Sequence, residues 1–170
     1  MIRIEQFDPQ LQIARPDTAD LLRSAQLTGH PAVSLITLHG SRGLAGGHRP
    51  DSDVDLCLVV DAEQLAGAPD PAAFLDQILR TTLDAWASPV EADLAAAWDE
   101  QGCGLRCLNC AAFDPDACPE AGQNCFGLYK IQKGFNGFVR DAGVEVRRMV
   151  PCLAIWRNPT RSGVPASRQT

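Results

Sequence analysis

The sequence predicts an α/β (α+β) domain: a mixed β-sheet with helices packed on one side. Three observations lead there. Val33 to Leu38 and Val54 to Val60 are short apolar runs bounded by polar, Gly-rich sequence, as buried strands are. The segment Asp70 to Leu83 carries Phe74, Ile78 and Leu79 at helical spacing. The order along the chain is helix, strand, strand, helix, strand, which suits one sheet rather than separate bundles.

Each element has its own grounds. Ile2 and Ile4 alternate with polar neighbours, so residues 1–8 read as a short strand or an ordered tail. Pro16 to Leu27 reads as a helix, with acidic residues near its start and Leu21, Leu22 and Ala25 on one face, ended by Gly29 or Pro31. The two strands follow. Pro71 fits the first turn of the next helix, Ser88-Pro89 breaks it, and Val90 to Leu94 begins a third strand. Farther on, Val144 to Val150 alternates enough for a strand, continued by Leu153 to Trp156. The last ten residues, rich in Ser, Arg and Pro, read as a frayed tail. The expected organisation is a core over 1–98, a Cys-rich C-terminal extension packed on it over 99–160, and a flexible tail over 161–170.

Composition narrows the function classes. The chain has 170 residues, 45% of them hydrophobic, enough for a single sizeable core. Its net charge of −6 and pI near 4.9 disfavour a long nucleic-acid substrate. The first residues lack an apolar segment with basic flanks, and no window approaches the ~18 apolar residues of a membrane span. No membrane partner is expected, and a cytoplasmic location is the default.

The most informative stretch joins the first two strands. Gly40-Ser41 follows the first strand, a polar connection runs through Arg42, Gly43, His48 and Arg49, and Asp53 and Asp55 open the second strand. Residues two apart on a strand share a face, so both carboxylates point the same way. Two like charges side by side are costly unless a cation lies between them or one is protonated. A hard divalent ion with oxygen ligands, Mg²⁺ above all, resolves the conflict. Gly40 permits close backbone approach, and Ser41 adds a hydroxyl beside N–H groups where phosphate oxygens dock. Arg42 and Arg49 are candidates for neutralising phosphate charge, or for pairing with Asp51 or another surface acid. His39 reads as packed rather than catalytic, and His48 as part of a mobile loop.

Gly40-Ser41, eleven intervening residues and Asp53-x-Asp55 on a strand resemble the signature of the polymerase-β-like nucleotidyltransferases. The wording of Gly40-Ser41-Arg42 and of Arg49-Pro50-Asp51-Ser52-Asp53-Val54-Asp55-Leu56 is most similar to the minimal nucleotidyltransferases. The resemblance spans roughly residues 15–97. It implies the nucleotidyltransferase fold and a third carboxylate on a later strand. Asp93 is the candidate for that place, with Glu91 in reserve. It further implies two-metal transfer of a nucleoside monophosphate from an NTP to a hydroxyl of a small molecule or protein, with release of pyrophosphate. In that scheme Asp53, Asp55 and Asp93 hold Mg²⁺, and Gly40 and Ser41 hold the β- and γ-phosphates. The acceptor is unknown. Minimal members act beside a helical protein partner, and some relatives are antitoxins that modify a toxin with AMP. The rival reading is a non-catalytic nucleotide- or metal-binding module or interaction partner.

The C-terminal third carries five of the seven cysteines within 23 residues: Cys103, Cys107, Cys110, Cys118 and Cys125. Three states are open for them, namely a structural zinc site, one or more disulfides, or free thiols. Cys57 lies within a strand and reads as core, and Cys152 as core or as reaching the cluster. Lys130 and Lys133 are the chain's only lysines. On a helix they would share a face, to close over a triphosphate or to stand in solvent. Both are candidate nucleotide-binding residues.

Overall fold

The computed structural model describes residues 1–109, 126–132, 134–144, 146 and 152–161. Its strands are β1 (Ile2–Arg3), β2 (Thr28–Gly29), β3 (Val33–His39), β4 (Val54–Val60), β5 (Ala92–Trp98), β6 (Gly127–Gln132), β7 (Phe135–Phe138) and β8 (Leu153–Arg157). Its helices are α1 (Pro9–Ala14), α2 (Pro16–Ser24), α3 (Ala62–Ala66), α4 (Pro71–Ala85) and α5 (Arg106–Asn109). Among the described residues, two of the five helices begin as the sequence leads one to expect. Asp70 caps α4 by accepting from the Ala73 N–H at 3.1 Å, and Pro16 opens α2.

Six strands form one mixed sheet in the order β7-β6-β5-β4-β3-β8. Its β4–β5 pair is parallel, bridged by the crossover through α3 and α4, and the other neighbours run antiparallel. β1 and β2 make a separate two-stranded ribbon. The strands contributed by residues beyond 98 complete the sheet: β6 pairs with β5, and β8 with β3. Among the described residues no helix is long and apolar enough to cross a membrane.

Side-chain alternation divides the core in two. One face offers Ile36, Leu38, Leu56, Leu58, Leu94, Ala96 and Ile155 to Leu11 of α1, Leu22 of α2, Leu65 of α3 and Leu75, Ile78 and Leu79 of α4. The opposite face carries Leu35, Cys57, Val59, Ala95, Ala97 and Leu128, covered in part by Leu105, Cys107, Leu108 and Phe126. The four longer helices thus share one side, with the short α5 segment on the other.

The structure departs from the sequence expectations in places. Lys130 lies on β6, which pairs antiparallel with β7, and not on a helix, with Gly134 at φ +84° just before β7. The third strand extends to Trp98 through Ala95, Ala96 and Ala97, weak strand formers carried by burial between β4 and β6. The short helices α1, α3 and α5 hold too few turns to show periodicity. Lys133, Cys110, Cys118 and Cys125, most of the expected Val144–Val150 strand and residues 162–170 lie outside the described residues.

Candidate active site

The parallel pairing of β4 and β5 sets the site. Parallel strands begin at the same sheet edge, so the acids at their starts become neighbours, with Asp55 directly in register with Asp93. Adjacent strands lie ~4.8 Å apart, so these two carboxyls sit side by side. β3 runs the other way and ends there, setting His39 opposite Asp55 and the Gly40 turn beside it. β6 also ends there, with Lys130 paired to Ala95, two residues beyond Asp93 on the same face of the sheet. Four strand ends therefore meet around two aspartates.

The charges of the cluster are strained. Burial raises the Asp55 carboxyl above the ordinary aspartate range, and the neighbouring Asp93 and Asp53 charges push it further, opposed by Lys130. Burial likewise raises Asp93, with Lys130 opposing and Asp53 adding to the rise. The Asp55 and Asp93 side chains are within hydrogen-bonding reach, so a proton held by one serves both. Asp93 Oδ1 is buried without a hydrogen-bond partner. An orphaned carboxylate oxygen is expensive to bury.

Gly40 completes the cradle. Its φ is +69°, and a Cβ placed there would collide with Asp55 Oδ2. Only a glycine lets the Asp55 carboxylate lie against the turn. Gly43 closes that turn, its N–H donating to Gly40 O at 3.0 Å. Ser41 follows, partly exposed.

Arg49 is exposed and lies 3.5 Å from Asp51, one of the two roles its sequence position allows. Arg42 is buried, and its Nε and Nη2 donate to backbone carbonyls of Ser52, Arg49 and Pro50. Those donors are engaged with the loop and not turned to a phosphate. Glu91, the reserve acid, is exposed just before β5. Asp53 is exposed at the entrance to β4. His48 Nε2 lies 2.8 Å from Asp17 Oδ2, pinning the connecting loop to α2.

His39 is a group at the site that sequence reasoning assigns to packing alone. Its Nε2 lies 2.6 Å from Thr37 Oγ1. Burial pushes its pKa down to about 4, and the Lys130 charge adds to the fall. The imidazole is therefore neutral at physiological pH. The i, i+2 alternation from Thr37, with the Gly40 turn next along, is the signal that places it beside the acids.

The residues present suit a hard cation in part. Asp55 and Asp93 offer adjacent carboxylate oxygens, one of them unpartnered, the donor type that Mg²⁺ takes. Among the described residues, however, no three His, Cys, Asp or Glu side chains stand close enough together to hold a metal ion. The same holds for the expected zinc site as far as it is described. Cys57, Cys103 and Cys152 are free thiols. Burial pushes Cys57 and Cys152 up to about 12, so both are protonated and behave as core groups.

No protein-family model matches the chain, and no curated protein matches it.

Proposed function

We propose that this protein is a nucleotidyltransferase of the polymerase-β-like kind, moving a nucleoside monophosphate from an NTP to a hydroxyl of a small molecule or protein. The observation that carries this reading is the register match of Asp55 with Asp93 beside Gly40, with Asp93 Oδ1 buried and unpartnered. That arrangement costs stability and makes sense as a site prepared for positive charge.

Asp55 and Asp93 would hold the divalent ion, with the Asp53 charge nearby at the strand entrance adding to the negative field. When bound, Mg²⁺ supplies charge neutralisation and a lowered pKa for the acceptor hydroxyl. The chain's own groups do the rest. The Gly40-Ser41 turn presents its backbone and hydroxyl to the outer phosphates, and Lys130 adds a cation from the neighbouring strand end. The acceptor oxygen forms a bond to the α-phosphorus as the bond to the β-phosphate oxygen breaks. Pyrophosphate leaves, and the hydroxyl proton is lost to water. The neutral His39 keeps a second positive charge out of the pocket.

The test is pyrophosphate release from each of the four NTPs with Mg²⁺ in extract containing native acceptors. Release by the wild type that disappears in Asp55→Asn and Asp53→Asn supports the reading. One observation favours a second reading, a non-catalytic nucleotide- or metal-binding module: three ligating side chains do not converge among the described residues. Nucleotide binding that needs Asp55 but yields no pyrophosphate would favour it.

A further inference from the structure

The loop between the glycine turn and the aspartates is organised around one buried cation. Arg42 is 5% exposed. Its Nε donates to Ser52 O at 2.7 Å, and its Nη2 to Pro50 O at 3.0 Å and Arg49 O at 3.3 Å. The Ser52 carbonyl belongs to the peptide plane that contains the nitrogen and Cα of Asp53. Fixing that oxygen therefore fixes the plane from which Asp53 springs. The loop is braced a second time, by the Arg49 N–H donating to Ser52 Oγ at 2.8 Å and the Ser52 N–H to Arg49 O at 3.0 Å.

Arg42 is itself anchored from behind. Its carbonyl accepts from Thr18 Oγ1 of α2 at 3.1 Å, and the Gly43 carbonyl accepts from Arg15 Nε at 2.7 Å. Arg42 stands two residues beyond Gly40, so a single side chain spans from the phosphate-facing turn to the aspartate strand. Bonds from a charged donor to three uncharged carbonyls are stronger than neutral ones, and the planar fork of a guanidinium can serve several acceptors at set angles. A lysine ammonium at the same place lacks the fork.

We propose that Arg42 is a positioning residue: it couples the Gly40-Ser41 turn to Asp53 and Asp55, so that the phosphate contacts and the carboxylates are presented in a fixed relation. This inference rests on the nucleotidyltransferase reading of the site. It differs from direct phosphate contact by Arg42, because the charge is directed at the chain and not at a ligand.

The test uses the full chain as wild type, Arg42→Lys, Arg42→Gln and Asp55→Asn. Mn²⁺ alone serves as a paramagnetic, oxygen-seeking probe, titrated by electron paramagnetic resonance, with amide hydrogen exchange followed over residues 49–55. The expected result is Asp55-dependent Mn²⁺ binding in the wild type, weakened roughly tenfold or more in both Arg42 variants, where tenfold is ~1.4 kcal/mol. Exchange should quicken over 49–54 while the β3, β4 and β5 amides keep their protection. Unchanged Mn²⁺ affinity with weaker metal-free nucleotide binding in Arg42→Gln, restored by Arg42→Lys, would overturn the inference in favour of phosphate contact. Protection lost across the whole sheet, with Mn²⁺ affinity intact in the folded fraction, would reduce Arg42 to a general structural residue. A wild type without Asp55-dependent Mn²⁺ binding would overturn the parent reading as well. The two failures are therefore distinguishable.

Discussion

Acidification from pH 7.5 to 4 should destabilise the wild-type protein by about 3 kcal/mol more than a His39→Gln variant. The imidazole is held down to about 4 in the fold, by burial first and the Lys130 charge second, against an ordinary value of 6.5. In the window between those values the unfolded chain takes up a proton that the folded chain refuses. Stability therefore falls as pH falls through the window and recovers as pH rises. The gap, at ~1.36 kcal/mol per pH unit, comes to about 3 kcal/mol. Glutamine keeps an amide that reaches for Thr37 Oγ1 but has no proton to gain. Asp55 and Asp93, raised by burial, act in the opposite direction, but they are common to both proteins and largely cancel in the difference. Urea unfolding at half-unit pH steps reads the effect, as does a widening melting gap of roughly 6–12 °C for a chain of this size. Parallel stability curves for the two proteins would refute the placement of a neutral, enclosed histidine beside the acids.

Three further outcomes follow from the same geometry. Asp93→Asn should raise stability at pH 7.5 by about 0.5–2 kcal/mol while abolishing turnover. A carboxyl raised in the fold costs stability above its folded pKa, so this gain should fade as pH drops toward 3, which urea unfolding across pH reads out. Gly40→Ala places a Cβ against Asp55 Oδ2 at positive φ, and should cost about 1–2 kcal/mol by chemical denaturation and weaken Asp55-dependent Mn²⁺ binding. Gly127→Ala should cost about 1–3 kcal/mol, because its Cβ meets the Trp98 indole and a rigid ring cannot move aside cheaply. Its melting temperature should fall with Mn²⁺ affinity unchanged, which separates a packing defect from a site defect.

Local pattern carries much of the fold. β4 occupies Val54–Val60 as its apolar run indicates, and α4 begins at Pro71 under an Asp70 cap. The β6–β7 pairing is hidden because Gly127, Gly134 and Gly137 dilute its alternation, and the lysines fit a helical face equally well. The alanines of β5 lack strand propensity, and only the neighbours on both sides hold them extended. At the site, the spacing of Asp53 and Asp55 suggests neighbouring charges, but the strand face expected for both holds only Asp55, because β4 begins at Val54 and Asp53 precedes it, exposed. The register of Asp55 with Asp93 is not legible, because it depends on a parallel crossover through α3 and α4. Arg42 shows why charge type alone misleads. A guanidinium next to a Gly-Ser turn suggests phosphate, yet its bonds go to carbonyls seven to ten residues along the chain.

The most direct test of the central claim follows the label of an NTP through a reaction with Mg²⁺ and native acceptors. Parallel samples carry phosphorus label at the α or the γ position, and Asp55→Asn is the control. The account predicts α-label covalently attached to an acceptor, γ-label recovered in pyrophosphate, and neither product with the variant. Label released as inorganic phosphate, or products that persist in Asp55→Asn, would contradict it.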